Sequence, residues 1–198
     1  MKLSHSAVLA ASLAIGGLCT TSPAYAQEAT VTFSDINDGV RGRFFSAAKT
    51  VVDGNRLIIG LDSGLDFRTY KYLDFRASTA SFSYGTAHDT LSVRIQAPAG
   101  YYISKVTYTQ RGFGSVIRTG KASGAASWVV DDFAEELGDF STSPALTRTL
   151  DLSAVRKTFV PVSVTASLFA FSTPLLGSAS VQITGAEIVV EILPLDGN

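Results

Sequence analysis

The pattern most suggestive of a ligand contact in this 198-residue sequence runs from Phe67 to Arg76. Read as a strand, it puts Phe67, Thr69, Lys71, Leu73 and Phe75 on one side and Arg68, Tyr70, Tyr72, Asp74 and Arg76 on the other. Two tyrosine rings about 7 Å apart along a strand could stack on sugar rings while Arg68, Asp74 and Arg76 bond the sugar hydroxyls. The same residues would also serve a sheet that binds nothing, because tyrosine favours strands and pairs with Thr or Arg across them.

A second cluster suits a hard cation. Asp35, Asn37 and Asp38 precede Gly39 and offer several oxygens on one tight stretch, and calcium takes six to eight such ligands. The distal bidentate glutamate of a calcium loop is missing, and Asx-rich turns form without metal. No cofactor is expected, and calcium is the alternative that these oxygens offer.

Catalytic patterns are weaker. His88 is the only histidine beyond the first 26 residues, and its neighbour Asp89 would point to the opposite face of a strand, leaving the imidazole without an orienting carboxylate. No G-x-S-x-G elbow occurs, and one histidine without cysteine cannot build an ordinary zinc site. Gly114 to Lys121 has a Gly-Lys pair, but one residue late for a phosphate loop, with Ala122 where a hydroxyl residue would hold magnesium. The carboxylates Asp131, Asp132, Glu135, Glu136 and Asp139 could supply acid–base pairs for glycan cleavage, although a run of charges is usually a solvated loop. No catalytic residue is assigned.

The elements that must position these groups read as strands. Short β-branched and aromatic runs recur between Gly, Pro, Asn and Asp clusters, with no sustained helical period. From Thr90 to Ala97, Leu91, Val93, Ile95 and Ala97 share one face and Ser92, Arg94 and Gln96 the other. Val51-Val52, Asp53-Gly54-Asn55 and Leu57 to Ile59 read as a hairpin. Pro98-Ala99-Gly100 and Arg111 to Gly114 read as connections bounding a strand over Tyr101 to Gln110, with neighbouring strands antiparallel. Trp128 is expected in the core. Near the C-terminus the apolar phase shifts from Val181 and Ile183 to Ile188, Val190 and Ile192, which predicts a β-bulge near Gly185. Asp131 to Phe140 is the one place where a short helix or acidic loop is expected, stopped by Gly138.

Composition sets the outer limits. Lys2, the apolar run Ala7 to Leu18 and Ala24-Tyr25-Ala26 before Gln27 form a signal peptide over residues 1–26, too short to span a bilayer. Leu18 is too bulky for lipoprotein processing at Cys19. Cleavage removes the only cysteine and the only methionine, so no internal disulfide can form. Residues 27–198 are then long enough for one core, since a chain of about 170 residues buries roughly 70% of its unfolded surface. Of 16 basic and 17 acidic residues only Lys2 leaves with the leader, and the near balance, without like-charge blocks, gives no footprint for nucleic acid. Gln182, Glu187 and Glu191 interrupt the apolar C-terminal stretch, so the mature chain has no transmembrane anchor.

The expected fold is an all-β antiparallel sandwich of jelly-roll type in a single domain, secreted or periplasmic. The expected function is non-catalytic: binding carbohydrate, or other surface proteins in an extracellular matrix. One alternative is a hydrolase or lyase acting on polysaccharide. The other is a self-assembling extracellular structural protein, suggested by a charged fraction of 17% and a long apolar terminal strand that would be hazardous at a sheet edge.

Overall fold

The computed structural model describes residues 29–39, 44–62, 83–117, 120–139, 144–172 and 178–195. The signal peptide and the Phe67 to Arg76 face lie outside the described residues. Ten strands appear in chain order: β1 (Thr32–Asp38), β2 (Phe45–Asp53), β3 (Arg56–Leu61), β4 (Ser83–Gln96), β5 (Tyr101–Ile117), β6 (Gly120–Val130), β7 (Phe133–Asp139), β8 (Ala145–Asp151), β9 (Phe159–Ser172) and β10 (Ser178–Pro194). They form a front sheet ordered β1-β4-β9-β6-β7 and a back sheet ordered β2-β3-β10-β5-β8. Every paired neighbour is antiparallel. The chain is an all-β sandwich.

Period-two alternation decides which side of each strand meets the core. Leu91, Val93, Ile95 and Ala97 are buried on β4, with Ser92, Arg94 and Gln96 exposed between them. On β9, Val160, Val162, Val164, Ala166, Leu168 and Ala170 turn inward, and from the facing sheet Leu57, Ile59, Val106, Tyr108, Ile188 and Val190 close the same cluster. Trp128 is buried there, as expected.

Two local expectations hold. Val51 pairs Ile58 and Asp53 pairs Arg56, closing a hairpin whose Gly54 has φ of 57°. On β10 the register against β5 slips between Ile183 and Gly185, so Thr184 is the extra residue and both apolar phases reach the core.

Four expectations need correction. The described part of Asp131 to Phe140, up to Asp139, holds no helix: Asp131 and Asp132 make a turn, and β7 pairs along β6. Glu135-Glu136 does not set a helix there, because edge pairing with β6 satisfies the backbone, while an extra residue at Leu137 buries that side chain. Arg111 to Gly114 is not a connection either. β5 runs on to Ile117, and Gly114 lies where the sheets approach, so that a Cβ there would make a tight 3.1 Å contact with the Ala122 carbonyl oxygen. The strands of Thr90 to Ala97 and Tyr101 to Gln110, although consecutive, lie in different sheets. Finally, β10 is no edge: it is the third strand of the back sheet, paired with β5 along its length and with β3 over Ala186 to Val189.

Candidate functional site: the outer face of the front sheet

Alternation that buries the even residues of β9 turns Phe159, Pro161, Ser163, Thr165, Ser167 and Phe169 outward on the central strand of the front sheet. Cross-strand pairing builds rows on either side. Ser92, Ser163 and Val129 are opposite one another, as are Thr90, Thr165, Ser127 and Glu136, and then His88, Ser167, Ala125 and Asp139. The middle of this face carries hydroxyls and small side chains.

Two depressions open on it. The first, of about 330 Å³, has Ser92, Ser163, Pro161 and Val129 as its floor and Asp35, Asn37, Arg94 and Asp131 at its margins. Val129 is 41% exposed, an apolar surface offered to solvent inside a polar rim. Pro161 can sit in a central strand because its carbonyl accepts from the Asp131 N–H, on the side where β6 has already ended at Val130. A residue's N–H and C=O point the same way in an antiparallel ladder, so the missing donor faces the turn and no ladder partner is lost.

The two marginal aspartates share a backbone feature. Asp35 and Asp131 have φ of 50° and 55°, a region that non-glycine residues enter rarely and that Asp enters more readily than most. Asp35 does so at a register slip of β1 against β4, which aims its carboxylate at Arg94, 2.7 Å away. Asp131 does so in the β6–β7 turn and is held by Lys157. Backbone strain of this kind collects at binding sites.

The second depression, of about 340 Å³, is lined by Ser127, Thr165 and Ser167, with Glu136, Gly138 and Asp139 on the β7 side. Beside it His88 Nδ1 lies 2.9 Å from Ser167 Oγ. That contact has the reach of a nucleophile and its base, but Asp89 faces inward and accepts from the Phe44 and Phe45 N–H groups. Among the described residues no carboxylate is hydrogen-bonded to His88.

The sequence candidates are dispersed. Asp35 and Asn37 line the first depression together, whereas Asp38 lies on the opposite side of β1 and accepts from the Ala47 N–H at 3.1 Å. Among the described residues no group of three or more His, Cys, Asp or Glu side chains could hold a metal ion. Of the acidic run, Glu135 pairs with Arg148 at 2.9 Å, while Glu136 and Asp139 reach the second depression. Arg68, Tyr70, Tyr72, Asp74 and Arg76 lie outside the described residues.

Pro161, Ser163, Thr165 and Ser167 escaped the sequence reading, whereas Arg94 was placed on the outward face of its strand without a role. Their signal was present in the alternation of β9, where every second residue from Val160 is aliphatic and the intervening ones are not. No family model matches the chain, and no curated protein matches it.

Proposed function

We propose that this protein is an exported, non-catalytic β-sandwich that binds carbohydrate on the outer face of its front sheet. The observation that carries the proposal is the first depression, where Asp35 with Arg94, Asn37 and Asp131 stand around the apolar floor of Pro161 and Val129. Sugars present hydroxyls at their edges and C–H groups on their faces, and a few directional polar groups around an apolar floor suit both. Asp, Asn and Arg together supply acceptors and donors for paired hydroxyls.

Isothermal titration against ligands chosen from a glycan array tests this. Arg94→Ala and Asp131→Ala should each weaken binding about tenfold or more, about 1.4 kcal/mol, the cost of losing a directional contact in a small site. An array without a ligand, or variants that bind as the native protein does, would overturn it. Tyr70 and Tyr72 belong to the same proposal as a stacking platform, tested by their double alanine variant. Export is tested by N-terminal sequencing, with Gln27 the expected first residue.

A hydrolase acting on polysaccharide is the second reading, favoured by the 2.9 Å contact of His88 with Ser167. Loss of turnover in Ser167→Ala would support it. Absence of turnover in the native protein on any array ligand would end it.

A further inference from the structure

Among the described strands β8 is the last of the back sheet, and hydrogen bonds at both of its ends fix which way its backbone points. The Gly112 N–H donates to the Pro144 carbonyl just before β8, and the Leu152 N–H donates to the Ser104 carbonyl just after it. In an antiparallel ladder the direction alternates from one residue to the next, so the even-numbered residues of β8 turn their N–H and C=O toward β5 and the odd-numbered ones turn theirs away. The register carries that parity through the strand, running without a slip from Lys105 opposite Asp151 to Arg111 opposite Ala145. Thr147 agrees with it, because its carbonyl accepts from the Arg148 guanidinium at 3.0 Å. Thr147, Arg148 and Thr149 are all exposed.

The sequence of this edge reads the same in both directions. Leu146-Thr147-Arg148-Thr149-Leu150 is symmetric about Arg148. Laid antiparallel on a second copy with a two-fold axis at Arg148, Thr147 stands opposite Thr149 of that copy, and their outward N–H and C=O groups exchange both backbone bonds. On the core side Leu146 comes opposite Leu150, which is only half-buried in the single chain. On the outer side the pairing repeats one already present, since Thr107 with Thr149 and Thr109 with Thr147 place their hydroxyls 2.9 and 3.1 Å apart. The axis also brings Arg148 to Arg148, and like charges directly opposite would resist pairing. Glu135 offsets this by holding each guanidinium at 2.9 Å, so that ion pairs meet instead of bare cations.

We propose that β8 pairs edge to edge with β8 of a second copy about a two-fold axis at Arg148, joining two back sheets into one continuous sheet. The symmetry of the strand identifies the partner, because an isologous interface needs a surface that complements itself. The inference is independent of the carbohydrate reading. It moves self-association from the C-terminal strand, which is interior, to the edge of the same sheet.

Sedimentation equilibrium and cross-linking test it together. The protein should form a reversible dimer between about 10 µM and 1 mM, weak because one short strand pair falls below the standard interface size. Thr149→Pro removes an outward N–H at an edge, where proline is tolerated, so it should leave the melting temperature nearly unchanged and the protein monomeric throughout that range. Cross-linking reads the register. In a Cys19→Ser background Arg148→Cys supplies the only thiol, and on the axis it faces its own copy at a Cα separation of about 4.5 Å, within disulfide range. It should form the intermolecular disulfide at least tenfold faster than Thr147→Cys, whose copy lies diagonally across the axis and out of reach. The cross-linking comparison decides the matter if the proline variant does not fold. A protein that stays monomeric across the range would overturn the inference. So would a dimer that survives Thr149→Pro, which puts the contact on another edge, or a Thr147→Cys variant that cross-links as fast as Arg148→Cys.

Discussion

Tyr108 on β5 and Trp128 on β6 stack across the sandwich with ring centroids 6.2 Å apart and planes 23° from parallel, joining the back sheet to the front. Both rings are buried, and the Tyr108 hydroxyl donates to Gln110 Oε1 two residues along the same strand. Trp128→Ala should therefore cost about 3–5 kcal/mol in urea unfolding, as large aromatic truncations do. Tyr108→Phe should cost about 1–3 kcal/mol, because it strands a buried acceptor. Tyr108→Phe with Gln110→Met should recover most of that loss, since removing both partners leaves less unpaired polarity than removing one.

Glu187 contributes to the acid limb of stability. Burial pushes its carboxyl up, but bonds from Arg111 and Arg56 outweigh burial and hold it below the ordinary glutamate value. A lowered folded value means that the contribution is present above the unfolded pKa and is lost as pH falls through the folded one. Melting temperatures measured from neutral pH down to pH 3 should fall less steeply for Glu187→Gln than for the native protein. At neutral pH the variant should be less stable by about 1–2 kcal/mol, between the limits for exposed and buried pairs.

At the alkaline end the sign reverses. Burial pushes the Tyr108 phenol well above its ordinary value, so its contribution is complete below the unfolded tyrosine pKa and declines as pH rises past it. Spectrophotometric titration should include a tyrosine phase that appears only as the protein unfolds, and Tyr108→Phe should reduce it by one tyrosine.

Asp89 anchors the start of β2. Its carboxylate accepts the Phe44 and Phe45 N–H groups at 2.9 and 2.8 Å, and the residue is buried. Asp89→Ala leaves both donors stranded and should cost about 2–4 kcal/mol, with amide exchange at Phe44 and Phe45 accelerating most. Asp89→Asn keeps one acceptor oxygen and should retain part of the protection. An alanine variant whose exchange at these two amides matches the native protein would contradict the anchoring role.

Two glycines should respond in opposite ways to alanine. At Gly60 a Cβ would collide with the Lys49 backbone, where β2 bulges over β3, so Gly60→Ala should be severely destabilising. At Gly185 nothing lies within 4 Å, so Gly185→Ala should stay within about 1 kcal/mol. Deleting Thr184 should be worse than either, because it removes the extra residue and turns Ile188 and Val190 out of the core. Thermal melts of the three variants check this order.

The sequence by itself determined what depends on local chemistry and period. The inward set of β4, the Gly54 turn, the buried Trp128 and the bulge beside Gly185 all follow from side-chain alternation and backbone tolerance within a few residues. Only the tertiary structure decided which strands are neighbours. Antiparallel pairing is set by contacts far apart in the chain, so β4 lies between β1 and β9 instead of beside β5, and the C-terminal strand lies inside its sheet. The same reason hid the candidate site. Asp35, Arg94, Asp131 and Ser163 come from four separate segments, and each alone is an ordinary surface residue. What brings them to one depression is the order of the strands, which packing between the two sheets decides and which no single stretch of sequence encodes.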